Sequence, residues 1–421
     1  MPSIWKKLKN WSGDLKSKST SETITRLFTN EKKSQPGPWK TLEFKTNGFL
    51  TLGTEIELQL IDPANGKLVP RAQELLDANT SMKSLHQELY KSTLEIVTAK
   101  CDNVHQIRDD LKTSIDHLVP QADARGIKFS STGCHPFVRA LDCEISDTPR
   151  YHAMIERNQW LVRHQAVYGL HVHIGMNSGD EAIRFCNFFL RFVPHLLALS
   201  ASSPFVDGHD TGMSAFRPST YEALPTAGSP YLSHSWQEFD QLCEVLTRAG
   251  AIESLKDLWW DIRPSPNYGT LEIRVCDGPA TLAETTALVA FIHCLAAWFA
   301  DNGAWLAQVS RPPQWLMREN KWRAMRRGLD ASFVLNTGGE TRPLRDELNH
   351  WLEQLQPYCA RFGYGEYFNQ LRWTIANGNS ADRQRAVYTA TGSMEAVVAH
   401  NIAEFHAQRP LPVPATTQAA I

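Results

Sequence analysis

The chain has 421 residues, 42% of them hydrophobic and 21% charged, with a formal net charge of −2. That length holds two domains or one large sheet-based enzyme, and near-neutrality gives no electrostatic reason to expect nucleic acid or a membrane as partner. Eight cysteines, at 101, 134, 143, 186, 243, 276, 294 and 359, show neither metal-ligand spacing nor a disulfide framework, so they read as buried thiols of a reducing cytoplasm.

Residues 1–43 are rich in Lys, Ser and Thr, and Trp5, Leu8, Trp11 and Leu15 fall at roughly helical spacing. The stripe covers only about three turns, so a basic, flexible extension is expected ahead of one catalytic domain over 44–405. It contains no apolar segment of the kind that drives secretion. In TLGTEIELQLI, the apolar Leu52, Ile56, Leu58 and Leu60 alternate with Gly53, Glu55, Glu57 and Gln59. This period of two marks a half-buried strand and sets two carboxylates roughly 7 Å apart on its polar face. Asp62, Pro63, Asn65 and Gly66 supply the turn that follows. LYKSTLEIVT, residues 89–98, is a second candidate strand; it carries Glu95, and its poorer alternation suggests a bend or bulge.

A helix is expected from the cap Asn103 through Val104, Ile107, Leu111, Ile115 and Leu118, ending at Gly126. Another over 149–168 feeds GLHVHIGM, where Leu170, Val172, Ile174 and Met176 alternate with His171, His173 and Gly175. Asp180 is the expected cap of an apolar helix through Phe185, Phe188, Phe189, Phe192, Leu196 and Leu199, kinked or broken at Pro194. Residues 202–235 lack periodicity and are full of Pro, Gly, Ser and Thr; so long a structureless stretch reads as an active-site lid.

In DIRPSPNYGTLEIRVCD, residues 261–277, a Pro- and Gly-rich turn precedes a strand with Leu271, Ile273 and Val275 on one face and Thr270, Glu272, Arg274 and Cys276 on the other. Thr281 and Glu284 make a capping box for a helix holding the apolar run 287–300, too short to span a bilayer and read as buried. A helix over 314–329 shows Asn320, Arg323 and Arg327 on one face beside Lys321, and a Pro-rich, disordered tail is expected over 406–421.

Each polar strand face alone would be ordinary solvated surface. Three strands carrying carboxylates and imidazoles at matching parity point instead to the floor of one metal-lined cleft. Hard oxygen donors favour magnesium, with manganese as substitute. Arg263, Arg274, Lys321 and Arg323 are available to neutralise a transferring phosphoryl group or to hold a substrate carboxylate. No GxxxxGK[ST] loop, GxSxG elbow or convincing cysteine nucleophile is present.

GTEIELQL, LEIVT, GLHVHIG, SSPFVDGHDTG, RPSPNYGTLEIRVCD and NKWRAMRRGLDA, in this order and spacing, resemble the type 2 glutamate-cysteine ligase family, the bacterial carboxylate-amine ligases, from about residue 50 to about 400. The resemblance implies an α+β fold with an antiparallel sheet of glutamine synthetase catalytic-domain type, flanked by helices. It implies ATP as cosubstrate, one magnesium on Glu55, His171 and Glu272, and a second on Glu57 and Glu95. Glu272 and Arg274 would be catalytic, with Arg274, Lys321 and Arg323 on the nucleotide and Arg263, His173 and Arg217 on the substrate. Val206 and His209 stand where the family more often has an aromatic residue and an arginine.

The expected reaction phosphorylates a substrate carboxylate and lets an amine displace the phosphate. By resemblance, it joins glutamate to cysteine as γ-glutamylcysteine. Partners are then small molecules only, an amino acid or other carboxylate plus an amine, in a cytoplasmic enzyme for which a homodimer is one expected assembly. A guanidino or amine kinase on the same kind of sheet and a metal-dependent amidohydrolase built on His-x-His are the competing expectations. A binding module would leave the aligned acids without a purpose.

Overall fold

Seven antiparallel strands, the longer of them alternating in apolar and polar residues, form one sheet: β1 (Leu52–Ile61), β2 (Leu85–Gln87), β3 (Thr93–Val97), β4 (Lys128–Ser130), β5 (Gly169–Gly175), β6 (Ile262–Ser265) and β7 (Thr270–Asp277). They lie in the order β6-β7-β5-β1-β3-β2, with β4 paired to the far end of β1. Pro264 sits in β6, an edge strand, where its missing N–H costs no ladder bond. This is a computed structural model, and it describes residues 39–306 and 312–413. The described residues from Leu42 onward form one compact unit, and the expected amphipathic stripe of Trp5 to Leu15 lies outside the described residues.

One face of the sheet is oily. Leu52, Ile56, Leu58, Leu94, Ile96, Leu170, Val172, Ile174, Leu271 and Ile273 are buried in a single core with the helices Val104–Asp123, Val193–Ser200 and Leu282–Leu306. Each such side chain contributes about 1.5–3 kcal/mol on burial, and a one-residue slip of any strand would turn its apolar set into the cleft. The register is therefore held by the core, which in turn holds the polar face. The helix segment Leu282–Gly303 is long and apolar enough to cross a bilayer, but most of it is buried inside the protein. It is the central core helix, as its composition suggests.

Several local expectations are corrected. The helix expected over 149–168 ends at Val162. The cap of the Phe-rich helix Gly179–Phe189 is Ser178, which accepts from Glu181 N, while Asp180 accepts from Trp236 N. That helix bends by 66° into Val193–Ser200, with Pro194 in the first turn of the second piece, where a missing N–H is harmless. Residues 202–235 are not structureless. They contain the strand pair Phe205–Val206 and His209–Asp210, the helix Arg217–Tyr221, and Ala227–Gly228 paired with Trp259–Trp260, and they bury Phe205, Ala215, Arg217 and Tyr221. The stretch is thus partly built into the domain and not the structureless loop expected.

In β7 one extra residue is accommodated between Ile273, opposite Val172, and Cys276, opposite Leu170. This bulge reverses the parity, so Cys276 lies in the core and not on the polar face. At the chain's ends, Leu42 N donates to Asp240 Oδ1 and Phe44 packs on Trp236, so the domain begins slightly before residue 44. The last helix runs through Ala407, and Leu411 N donates to Glu404 Oε1, so the expected disordered tail is anchored at its start; 414–421 lie outside the described residues.

Candidate active-site cleft

The other face of the sheet forms the floor of a cleft of about 610 Å³. Strand register decides which side chains meet there. Glu57 lies opposite Glu95, Glu55 opposite His171, and Glu272 opposite both His173 and Arg263. The result is a row of three overlapping groups, Glu55–His173–Glu272, Glu55–Glu95–His171 and Glu57–Glu88–Glu95. In each, ligand atoms lie within 4.8 Å of one another.

At one end of the row every charge has a partner. Glu272 is buried, with Oε2 accepting from Arg263 Nε and Nη2 at 3.1 and 2.7 Å and Oε1 accepting from Arg274 Nη1. Burial alone would raise its pKa, but the two guanidiniums and His173 outweigh burial and hold it far below the usual carboxylate range. Glu55 behaves likewise: burial opposes its charge, yet hydrogen bonds with His171 and His173 keep it well below the ordinary value. His173 uses both ring nitrogens, on Thr270 Oγ1 at 2.8 Å and Glu55 Oε1 at 3.1 Å. Burial works against its charged form, but Glu55 and Glu272 raise its pKa overall.

His171 differs. Burial and the Arg274 charge lower its pKa to about 4, so near neutral pH it is uncharged. Its Nδ1–H donates to Glu55 Oε2 at 2.9 Å, and buried Nε2 has no hydrogen-bond partner. A neutral imidazole steered by a carboxylate, with its second nitrogen's lone pair unused, is the arrangement of a metal-binding histidine.

The other end lacks paired counter-charges. Glu57 is pushed up to about 7 by burial and by Glu88, while Glu88 and Glu95 are also raised by burial, Glu95 well above its usual value with Glu88, Glu55 and Glu57 adding to the effect. Among the described residues no Lys or Arg forms an ion pair with any of the three. Glu57 accepts from Gly169 N and Glu88 from Leu89 N. Crowded carboxylates of this kind, next to the unused nitrogen of His171, fit a hard divalent cation. The rim carries Lys100, Arg150 and Lys256, none in an ion pair among the described residues.

The cleft thus brings together Glu55, Glu57, Glu95, His171, His173, Glu272, Arg263 and Arg274. It regroups them, because Glu272 meets Glu55 through His173 and not through His171. Arg263 is largely committed to Glu272 and to the carbonyls of Leu255 and Leu258, which corrects its expected role as a free substrate clamp. Lys321 and Arg323 do not line the cleft. Lys321 is buried between Asp261 and Glu222, and Arg323 pairs with Glu319 and donates to Ser332 O. Asn320, expected on the same basic face, is buried and bonded to the backbone of Val334. Arg217 borders the cleft, but its Nη1 donates to the carbonyls of Arg274, Val275 and Cys276. Glu88 is the acidic residue that periodicity missed. It follows β2, whose three residues are too few to show alternation, although the two-residue step from His86 to Glu88 carries the right parity.

Residues 51–400 match the sequence pattern described as glutamate-cysteine ligase family 2. A Bdellovibrio bacteriovorus protein named "Putative glutamate-cysteine ligase 2" is 41% identical over 368 residues, covering 87% of this chain and 96% of the relative. One of the same name from Thermobifida fusca is 39% identical over 376 residues, 88% of this chain and 94% of the relative. In overall fold the chain is similar to a Francisella tularensis glutamate-cysteine ligase crystallised with AMP, at a TM-score of 0.62 and 12% identity, covering 89% of this chain and 91% of that one. A Pasteurella multocida bifunctional glutathione synthetase gives a TM-score of 0.62 at 15% identity, covering 86% of this chain and 52% of the longer protein. Both support the α+β architecture with its antiparallel sheet.

Proposed function

The chain belongs to glutamate-cysteine ligase family 2, whose members are ATP-dependent carbon–nitrogen ligases, and from that premise we propose that it activates an amino-acid carboxylate, glutamate first, for attack by an amine, cysteine first. The chemistry requires activation because a carboxylate at neutral pH is a poor electrophile with no leaving group. Transfer of the γ-phosphoryl group of ATP makes an acyl phosphate. The amine nitrogen then attacks the carbonyl carbon, phosphate departs, and the amine loses a proton as the amide forms.

The observation that carries the reading is the unpaired Glu57–Glu88–Glu95 cluster beside the free Nε2 of His171. Glu55, Glu57, Glu88, Glu95 and His171 would hold divalent cations, with Glu272 and His173 closing the row toward Arg263. Bound there, magnesium supplies charge neutralisation and orientation for the phosphates of ATP. Arg274, pinned by Glu272 at the edge of this row, is placed to offset negative charge that grows on a transferring phosphoryl group. Lys100, Arg150 and Lys256 are placed at the rim to steer anionic substrates inward. Eight free cysteines support a reducing compartment, and the cytoplasm is the proposed one.

The test incubates enzyme, MgATP and hydroxylamine with a panel of amino and dicarboxylic acids, measuring ADP, phosphate and hydroxamate together. Acid-dependent hydroxamate with stoichiometric ADP is expected. A stable phosphorylated amine or guanidine would favour a kinase. Zinc-dependent amide hydrolysis without ATP use would overturn the ligase reading.

A further inference from the structure

The bulge in β7 is what the cleft's least expected contacts hold in place. It falls opposite His171, between the pairs Ile273↔Val172 and Cys276↔Leu170, so the carbonyls of Arg274, Val275 and Cys276 splay out of the regular ladder. Buried carbonyls without donors cost about 1–3 kcal/mol each, so such a bulge persists only if something satisfies them. Arg217 Nη1 reaches all three, at 3.2, 3.4 and 3.1 Å. The guanidinium is itself fixed, 5.2 Å over the Tyr221 ring, with the Arg217 backbone N donating to Ser203 Oγ. Gly169 makes room for it, since a Cβ there would lie 2.3 Å from Arg217 Nη2.

From the opposite edge, Arg274 N donates to Asp261 O at 2.8 Å. Asp261 is fully buried, and its carboxylate is held by Tyr221 Oη at 3.0 Å, Ser229 Oγ at 3.1 Å and Lys321 Nζ. Two otherwise separate segments, the Arg217–Tyr221 helix and the Gln314–Arg327 helix, therefore converge on one backbone unit, the bulge whose side chain is Arg274.

We propose that Arg217 and the buried Lys321–Asp261 pair are positioning residues that clamp the β7 bulge and so aim Arg274 at Glu272 across the floor of the cleft. Neither needs to touch nucleotide or substrate. Lysine is no equal replacement for Arg217, because an ammonium lacks the flat guanidinium that stacks on Tyr221 and fixes Nη1 beside the three carbonyls. The kinetic part of this inference rests on the ligase reading, while the clamping itself does not.

The experiment joins backbone hydrogen exchange to a double-mutant cycle. In Arg217→Lys, amides of 274–277 should exchange at least about tenfold faster while those of 55–60 stay unchanged, because only the clamp is loosened. In turnover, Arg217→Lys should lower kcat about tenfold with KM for the acid within about twofold. Added to Arg274→Met, it should cost less than about twofold more, since a residue acting only through Arg274 has nothing left to position. Tyr221→Phe, which deletes one bond to Asp261 but keeps the ring under Arg217, should shift exchange at 274–277 the same way by a smaller factor and serves if Arg217→Lys folds poorly. Unchanged exchange at 274–277 overturns the clamp. Losses that multiply in the double variant, or a large rise in KM for the acid, make Arg217 a direct ligand and overturn the proposal. If the unaltered enzyme shows no acid-dependent ATP use, the ligase reading falls and the exchange data alone still decide the clamp.

Discussion

The two ends of the cleft floor contain the same kind of residue in opposite electrostatic states. Around Glu272 the protein supplies its own cations, Arg263, Arg274 and His173, and the carboxylate stays charged despite complete burial. With Glu57, Glu88 and Glu95 no Lys or Arg among the described residues forms an ion pair, and Arg150, Arg217 and Arg274 offset burial and crowding only in part, so all three carboxyls are raised above their ordinary range. The first end is neutralised by folding itself; the second keeps an excess of carboxyl groups. An acidic cluster by itself says little about function, but its contrast with a neutralised twin on the same sheet is what makes it the proposed seat of an external cation.

Substituting one glutamate from each end should break the symmetry of effect. Glu272→Gln and Glu95→Gln should each lower acid-dependent ATP turnover by more than about a hundredfold. Their metal-free stabilities should move in opposite directions. Glu272→Gln leaves Arg263 and Arg274 facing each other without a counter-charge and should cost about 3 kcal/mol. Glu95→Gln relieves repulsion and should raise the melting temperature. Thermal unfolding in EDTA distinguishes the two, and a parallel loss of stability in both would show that the ends are not electrostatically distinct.

Added magnesium or manganese tests the same contrast at smaller amplitude. At about a hundred times its dissociation constant, a ligand of the folded state alone stabilises by about 2.7 kcal/mol. The melting temperature of the unaltered protein should rise accordingly, and most of that rise should vanish in Glu95→Gln. An equal rise in both proteins would move the cation away from the unpaired end.

Much of this contrast is legible in the chain itself, for a simple reason. Facing is a local property of a strand, so Glu55, Glu57, His171, His173, Glu272 and Arg274 could be assigned to the polar faces of their strands from a period of two, whereas Glu95, on a strand of poorer alternation, entered the site only through the family resemblance. Pairing is not local. Which histidine meets Glu272 depends on the offset between β5 and β7, and that offset is held by core packing far along the chain. The bulge after Ile273, which moved Cys276 to the core, leaves no mark in composition. Lys321, which the family resemblance places on the nucleotide, shows the same limit: its partner Asp261 is 60 residues earlier, and nothing local in the helix tells a lysine facing ATP from one facing a buried carboxylate.

A buried titratable group outside the cleft supplies a reference. His135 donates from Nε2 to Gly66 O at 2.9 Å, and its Nδ1 accepts from Phe137 N and Val138 N at 3.3 and 3.1 Å. Burial holds its pKa down at about 4. Unfolded, the ring titrates near 6.5, so its full contribution is present above that pH. As pH falls from about 6.5 to about 4, the unfolded chain binds a proton that the folded one refuses, and up to about 3 kcal/mol is lost. Melting temperature should therefore drop between pH 7 and pH 5, less so in His135→Gln. The His135 part of that drop should be the same with and without magnesium. A magnesium-dependent His135 effect would mean that the two regions are linked.

The smallest expected effect concerns Arg323, which the family resemblance places on the nucleotide. The side chain is about one-third exposed, pairs with Glu319 one helical turn earlier at 2.7 Å, and donates to Ser332 O. An exposed i, i+4 pair contributes about 0.3–0.5 kcal/mol, and loss of the bond to a surface carbonyl adds little, since water replaces it. Arg323→Ala should therefore leave turnover and KM for ATP within about twofold and the melting temperature nearly unchanged. Lys321→Ala, one turn of chemistry away but buried against Asp261 and Glu222, should be far more damaging, because it strands two carboxylates around the support of Arg274. A tenfold rise in KM for ATP in Arg323→Ala would show that the helix surface reaches the nucleotide after all. The divide between neutralised and needy ends would then have to be redrawn to include it.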